Sequence, residues 1–141
     1  MTNTRFKQSF TFFQRAFLNL NEVKEQENRA FSNLEKEGII QRFKALIELC
    51  WKVFKDCLEN EGFMVKSPKE SVRKAFEYGL LKDCEKWLEA LDMRNITSHT
   101  YTQSALDENV RYILDTFYPI ARDLYHTLEA RLWIMDFQKN I

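Results

Sequence analysis

The spacing of the apolar residues constrains this chain more than any other feature of its sequence. Apolar side chains recur at steps of three and four, the period of helices that bury one side. Only three glycines and two prolines interrupt 141 residues, which favours long helices with short connections. We therefore predict an all-α fold, an antiparallel bundle of about five helices forming a single domain over residues 1–141. The first stripe is Phe6, Phe10, Phe13, Phe17 and Leu20, and the longest later ones span 40–58 and 106–128.

Local signals predict where some helices begin or bend. Ser67 and Pro68 suit the cap and first position of a third helix, and Glu70 can close a capping box. Pro119 falls inside the last stripe, where a kink is expected rather than an end. Residues 22–37 carry a weak pattern that fits an extended first helix, an earlier second helix or a loop. The residues of the third helix predicted to face inward are Val72, Ala75 and Phe76.

Charge and cysteine content narrow the classes of function. Lys and Arg number 21 against 21 Asp and Glu, so no global charge marks the chain as a nucleic-acid binder, and any contact with RNA has to be local. Cys50, Cys57 and Cys84 lie on helical stripes without CxxC spacing, which predicts reduced, buried thiols in a cytoplasmic protein. No apolar run is long enough to span a membrane. The histidines and cysteines do not cluster as metal ligands do, and we predict no metal or other cofactor.

The most versatile group of side chains lies in residues 93–101, at the end of the fourth helix. Arg94 and Asn95 continue the inward side of that helix, so we expect them to be bonded rather than buried alone. His99 follows Arg94 by five residues, about 140° around an ideal helix. The two side chains therefore converge only through the length of the arginine, or if the helix ends near Thr97–Ser98.

Simpler structural interpretations exist for each of these residues. Arg94 and His99 also fit an ordinary polar helix end, where they satisfy the last carbonyls. On the second helix, Glu48 and Lys52 have the i, i+4 order that favours a surface ion pair. Trp51 departs from the buried stripe, and a second helix or a second subunit could cover it.

A resemblance to a known family goes further than the pattern. Arg94, His99 and Tyr101 match the R-x4-H-x-Y signature of the HEPN superfamily of small helical proteins. Residues 40–101 resemble, more specifically, the nucleotidyltransferase substrate-binding protein family. The segments that carry the resemblance are Gln41-Arg42-Phe43, Glu48-Leu49, Trp51-Lys52, Ser67-Pro68-Lys69-Glu70, Ala75-Phe76, Gly79-Leu80, Trp87-Leu88 and Arg94-Asn95-Ile96-Thr97-Ser98-His99-Thr100-Tyr101.

The resemblance implies a non-catalytic partner of a separately encoded minimal nucleotidyltransferase, the two forming a toxin–antitoxin pair. It also implies an alternative, in which the chain is a metal-independent endoribonuclease toxin. In that case Arg94 and His99 of two subunits meet across a homodimer interface, and the partner enzyme silences the toxin by adenylylating Tyr101. A helical interaction module without catalysis is a second alternative.

The residue types are suited to RNA cleavage or to nucleotide binding. His99 can accept the proton of an RNA 2′-hydroxyl near neutral pH, and Arg94 can stabilise charge developing on the phosphate. Asn95 can orient His99 or bond a phosphate or base. The supporting candidates on the second helix are Glu48, Trp51 and Lys52.

A homodimer is the expected assembly. A site with one histidine per chain gains a second one from two-fold symmetry, and the chain carries more apolar surface than a five-helix core needs. We therefore expect the Arg94–His99 segments of two chains to lie close to the two-fold axis. The additional apolar residues are Trp51, Trp133, Ile134 and Phe137.

Overall fold

The computed structural model of the protein describes residues 2–99 and 102–139, and the side chains of 4–99 and 102–136. Most of these residues lie in helices, and none of them lies in a strand. The elements are α1 (Thr2–Glu25), α2 (Asn33–Asn60), α3 (Pro68–Tyr78), α4 (Cys84–Ile96), α5 (Gln103–Tyr112), a π-helical turn (Ile113–Phe117) and α6 (Tyr118–Lys139). Because α5, the turn and α6 follow one another without a break, they form one long helix. The prediction of an all-α bundle of about five helices is confirmed.

The helix α1 lies antiparallel to both α2 and α6. Near its start Arg5 pairs with Glu59 at the end of α2, and near its end the Asn19 carbonyl accepts a hydrogen bond from Arg42. Its contacts with α6 run in the same opposed sense, from Lys7–Asp136 to Asn21–Tyr118. Residues of α2 also contact α3, α4 and α5, which makes α2 the central helix of the bundle.

The predicted stripes of α1, α2 and the last helix form the core. Every apolar member of these three stripes is buried, and several are aromatic. Beyond those of α1 they are Ile40, Phe43, Ile47, Cys50, Phe54, Cys57 and Leu58 on α2, and Leu106, Val110, Ile113, Phe117, Ala121, Leu124 and Leu128 on the last helix. Phe43 and Phe117 meet edge to face with ring centroids 4.8 Å apart. Trp87 of α4 packs edge to face against Phe54 at 5.2 Å, which ties the fourth helix to α2. Such pairs contribute about 0.5–1.5 kcal/mol each beyond the area they bury.

The prediction that Phe76 faces inward is wrong, since this side chain is 44% exposed. Val72 and Ala75 are buried as predicted, and the third buried residue of α3 is Ser71. A hydroxyl tolerates burial there because it donates to the Ser67 carbonyl at 3.0 Å. With Ser71 inward, the buried side of α3 centres about 90° away from Phe76.

The weakly patterned interval 22–37 contains the end of α1, a turn and the start of α2. Ser32 caps α2 with a complete capping box, in which its hydroxyl accepts from the Glu35 N–H at 3.1 Å and its own N–H donates to the Glu35 carboxylate at 2.8 Å. A hydrogen bond from Arg29, together with the backbone bond from Ser32, lowers the pKa of Glu35 to about 2. These contacts separate the first two helices.

The predicted start of α3 is confirmed in part. Ser67 caps it by accepting from the Glu70 N–H at 3.2 Å, and Pro68 occupies the first position. The Glu70 carboxylate accepts from the N–H of Lys66 at 3.1 Å, so the capping box does not close onto Ser67.

The last helix continues through Pro119, as predicted. The backbone widens to a π-helical turn over Ile113–Phe117, and the N–H of Tyr118 bonds the carbonyl of Ile113. A proline has no N–H to donate and its ring crowds the preceding turn, so a local change of helical pitch beside it relieves the conflict. Within residues 2–99 and 102–139, no helix is long and apolar enough to cross a membrane.

Candidate functional site

The end of α4 determines how the polar segment is presented. The helix ends at Ile96, and Thr97 still bonds back four residues through its N–H at 2.9 Å. The next two amides, of Ser98 and His99, each bond the carbonyl three residues earlier at 3.1 Å, so the chain tightens and leaves the helix. The sequence analysis required a helix end near Thr97–Ser98 for Arg94 and His99 to approach one ligand. This helix end is confirmed.

The Arg94 guanidinium is held by α2. Its Nη1 donates to the Glu48 carboxylate at 2.8 Å, with side-chain exposures of 30% and 40%. The predicted Glu48–Lys52 ion pair is therefore wrong, and Lys52 is exposed with no ion pair among the described residues. The fixed donor geometry of a guanidinium loses less freedom on bonding than a flexible ammonium does, which favours Arg94 as the partner. At this exposure the pair contributes about 0.2–1 kcal/mol, so its main effect is to orient Arg94.

Four further described residues of the segment face solvent: Asn95, Ile96, Ser98 and His99. Asn95 is exposed, contrary to the prediction that it continues the inward side of α4, because one residue beyond Arg94 turns the helix by about 100°. His99 is exposed as well, and Ile96 between them is 52% exposed. Tyr101 and its neighbour Thr100 lie outside the described residues. The segment is thus open to a ligand or a second subunit on the side of Asn95 and His99.

Two buried polar atoms close to the core have no hydrogen-bond partner among the described residues. They are the Trp51 indole nitrogen and the Tyr112 hydroxyl. Leaving such a group unpaired costs about 1–3 kcal/mol. Trp51 packs partly against the core of its own chain, which provides cover without a second subunit. Burial, and then the nearby Glu89 carboxylate, raise the pKa of Tyr112, so the phenol stays protonated.

A groove runs from the end of α4 along the first half of α2. It has a volume of about 430 Å³ and is lined on one side by Thr97 and Ser98. The polar residues that α2 contributes are Glu37, Gln41 and Lys44. Sequence reasoning missed this groove, although Gln41 lies in one of the segments that resemble the family. The sequence did contain a signal for this groove: Gln41, Lys44 and Glu48 are spaced by three and four residues, which puts three polar side chains on one side of α2.

The cysteines are structural thiols. Burial raises the pKa of Cys50 well above its ordinary value and that of Cys57 to about 11, so both stay protonated. Cys50 and Cys57 are free and buried as predicted, whereas the prediction of burial is wrong for Cys84, which is free but half-buried. Among the described residues, no group of three His, Cys, Asp or Glu side chains is arranged to hold a metal ion.

Comparison with known proteins identifies the family. A family model described as nucleotidyltransferase substrate binding protein like matches residues 8–130 of the chain. The chain belongs to this family. The match extends beyond residues 40–101, where the sequence resemblance was strongest, and takes in α1 and most of α6 of this nucleotidyltransferase substrate-binding family member.

Solved structures share the fold of this family member. A crystal structure of a protein from Thermus thermophilus has a TM-score of 0.70 at 32% identity, over 85% of this chain and 98% of the other. A Haemophilus influenzae protein has a TM-score of 0.61 at 26% identity, over 92% and 99% of the two chains. The second structure is described as revealing the fold of a substrate-binding domain of a nucleotidyltransferase.

A curated relative is named as a ribonuclease. It is the "Probable ribonuclease HepT" of Haemophilus influenzae strain Rd, 39% identical over 71 residues. That match covers 47% of this chain and 49% of the relative, so the chain spans about half the length of the curated protein that it matches.

Proposed function

We propose that the chain is the substrate-binding subunit of a two-component system whose second component is a separately encoded minimal nucleotidyltransferase. The observation that carries this proposal is the family match over residues 8–130. The neighbouring structure described as a nucleotidyltransferase substrate-binding domain supports it. In this system the partner performs the nucleotide chemistry, residues 1–141 act as one domain, and the two proteins form a toxin–antitoxin pair.

The test is to look for a minimal nucleotidyltransferase in the adjacent reading frame and to co-express it with this chain. We expect the two proteins to purify as a complex, and mass spectrometry with ATP present to find adenylate on Tyr101. A phenol can serve as the acceptor: its oxygen forms a bond to the α-phosphorus of ATP, pyrophosphate leaves, and the phenolic proton passes to solvent or to a base of the enzyme. Tyr101→Phe keeps the ring and removes the acceptor, so it should bind the partner and stay unmodified. Absence of a complex would contradict the proposal.

A second candidate function, metal-independent RNA cleavage, is favoured by the end of α4. There Glu48 orients the Arg94 guanidinium, and the helix ends before the exposed His99. The matched relative named as a ribonuclease supports this candidate. Asn95, exposed beside Arg94, is available to bond a phosphate or a base.

The chemistry of this second function balances without a metal. His99 takes the proton of a 2′-hydroxyl, the 2′-oxygen forms a bond to phosphorus, and the bond from phosphorus to the 5′-oxygen breaks. Arg94 stabilises the charge that develops on the phosphate oxygens. The departing 5′-oxygen takes a proton from an acid, which His99 of a second copy supplies in a homodimer. The products are a 2′,3′-cyclic phosphate and a 5′-hydroxyl.

Purified protein provides the test of this second function. Cleavage of single-stranded RNA should persist in EDTA and leave a 2′,3′-cyclic phosphate. Expression without the partner should slow growth, and Arg94→Ala should relieve this effect. Light scattering should report a homodimer, with the Arg94–His99 segments near the two-fold axis. A dimer that neither cleaves RNA at low salt nor slows growth would leave the partner-subunit function and remove the ribonuclease.

A further inference from the structure

Within the described part of the chain, Lys44 is a cation without a counter-charge, in a groove beside the candidate site. It is half-buried on α2 and lines the groove that begins at Thr97 and Ser98. Glu48 lies one turn further along the same helix, but its carboxylate is bonded to Arg94 instead, at 2.8 Å. An ammonium group that lines a groove and has no ion pair of its own can bond an anion, so the groove favours an anionic ligand.

The other groups in the groove indicate what kind of anion fits. Gln41 lies one turn before Lys44 and offers both an amide donor and an acceptor. Glu37 lies two turns before Lys44, about 10 Å along the helix axis, and its carboxylate repels a phosphate but accepts hydrogen bonds from base amino groups. Leu34 at the same end is 79% exposed and offers an apolar surface to a base. A ligand with a phosphate at one end and base amino groups at the other satisfies both.

The position of Lys44 relative to Arg94 points to a polymer rather than a free anion. Lys44 precedes Glu48, the residue that holds Arg94, by about 6 Å along α2. One nucleotide of an extended strand spans such a distance, so two successive phosphates can reach Arg94 and Lys44 together. Single strands bind to sites of this kind, a charged groove that follows the backbone beside surfaces that cover the bases.

We propose that this groove is a subsite for single-stranded RNA, in which Lys44 bonds the phosphate next to the one held by Arg94, and Gln41 and Glu37 contact the adjoining base. The proposal rests on the ribonuclease function above and names the part of the molecule that binds its substrate beyond the cleaved bond.

Salt dependence of binding tests this role directly. The measurement is fluorescence anisotropy of a short, labelled single-stranded RNA over a series of salt concentrations, in the His99→Ala background so that the RNA stays intact. The slope of log K against log salt is negative, and each phosphate contact adds about 0.7 to its magnitude for a single strand. Lys44→Ala should therefore make the slope shallower by about this amount. It should also weaken binding to different RNA sequences to a similar degree. Lys44→Arg should retain the slope.

A matched control separates the groove from general charge. Lys66→Ala removes an exposed lysine from the α2–α3 connection, outside the groove, and should leave the slope unchanged. An unfolding midpoint equal to that of the parent should accompany each variant. A lost phosphate contact changes the slope, whereas a merely structural role of Lys44 changes only the midpoint.

The possible failures are distinguishable. If RNA binds and the wild-type chain cleaves it, but Lys44→Ala leaves the slope unchanged, the subsite is overturned and the ribonuclease stands. If Lys44→Ala instead weakens self-association and leaves the slope unchanged, the groove is a contact between subunits and the subsite is again overturned. If neither the wild-type chain nor His99→Ala binds RNA at low salt, both proposals fall.

Discussion

In α4, Trp87, Ala90 and Leu91 lie in the core, whereas one turn beyond Leu91 the Arg94 guanidinium is bonded at the surface to another helix. The first part of the helix is held by apolar burial and by the edge-to-face contact of Trp87 with Phe54. The second part, from Arg94 to His99, is held by one ion pair and by the turn that ends the helix. The two parts therefore have different environments, although Leu91 and Arg94 belong to the same helix.

The difference shows how one helix supports a candidate site without loss of stability. Burial of Leu91 anchors the backbone one turn before Arg94, so the polar residues need not stabilise the fold themselves. Thr97 marks the boundary, since it is buried and its hydroxyl donates to the Met93 carbonyl at 2.8 Å. Substitution of a buried residue, up to and including Thr97, should therefore affect stability, whereas substitution of Arg94, Asn95 or His99 should mainly affect ligand chemistry.

The largest effect on stability is expected from Leu91→Ala. Removing this buried side chain leaves a cavity in the core and should cost about 2–5 kcal/mol in the free energy of unfolding, measured by urea denaturation. Leu91→Met conserves volume and should cost less than about 1.5 kcal/mol. A cost near zero for Leu91→Ala would mean that the first part of α4 is not the anchor.

A smaller effect is expected at the boundary, from Thr97→Val. The valine keeps the shape but loses the hydroxyl bonds to the carbonyls of Met93 and Arg94, so unfolding should become easier by about 0.5–1.5 kcal/mol. Ser98→Ala is the matched control, because the Ser98 hydroxyl also bonds the Arg94 carbonyl but is exposed. If Ser98→Ala costs more than Thr97→Val, the boundary lies later than Thr97.

The Glu48–Arg94 pair should couple only weakly in stability. Both side chains are partly exposed, so a double-mutant cycle of Glu48→Ala and Arg94→Ala should give about 0.2–1 kcal/mol of coupling. Glu48→Gln keeps a hydrogen-bond acceptor, so under the proposed ribonuclease it should cleave RNA better than Glu48→Ala. Coupling well above this range would mean that the ion pair stabilises the fold, as the core residues do, rather than serving mainly to orient Arg94.

The smallest effect on stability is expected from His99→Ala. An exposed residue past the end of the helix should change the free energy of unfolding by no more than about 0.5 kcal/mol. Under the proposed ribonuclease, the same substitution should lower cleavage by about 10²-fold or more, because the proton acceptor is lost. If His99→Ala destabilises the fold as much as Leu91→Ala does, the segment is a structural helix end and the comparison fails.

Local patterns in the chain were sufficient to predict the all-α fold and the start of α3. Apolar residues that repeat at steps of three and four lie on one side of a helix, and that side is buried in a bundle whichever helices it meets. Phe13 and Ile47 are buried for this reason. Caps depend on neighbours in sequence, which is why Ser67 serves as predicted. The capping box of Ser32 and Glu35 obeys the same local rule and was available to sequence reasoning, which left that interval open.

The partners of the polar side chains depended on how the helices cross. Neighbours on one helix suggested that Glu48 pairs with Lys52, but α4 brings the Arg94 guanidinium to the same carboxylate. The pattern along α4 predicted that Asn95 faces inward. The rotation of α4 about its own axis depends on how it packs against the other helices, and in the fold Asn95 is exposed.

By itself, then, the amino-acid sequence determined the helical period, the cap of α3 and the family signature that begins at Arg94. Tertiary structure alone decided that Phe76 faces out and Ser71 faces in, that Glu48 holds Arg94, and that Lys44 lines a groove without a counter-charge among the described residues. The physical reason is range. Period and capping arise within one or two turns of a helix, whereas the environment of a side chain on a helix flank depends on residues 46 positions away, as Glu48 is from Arg94.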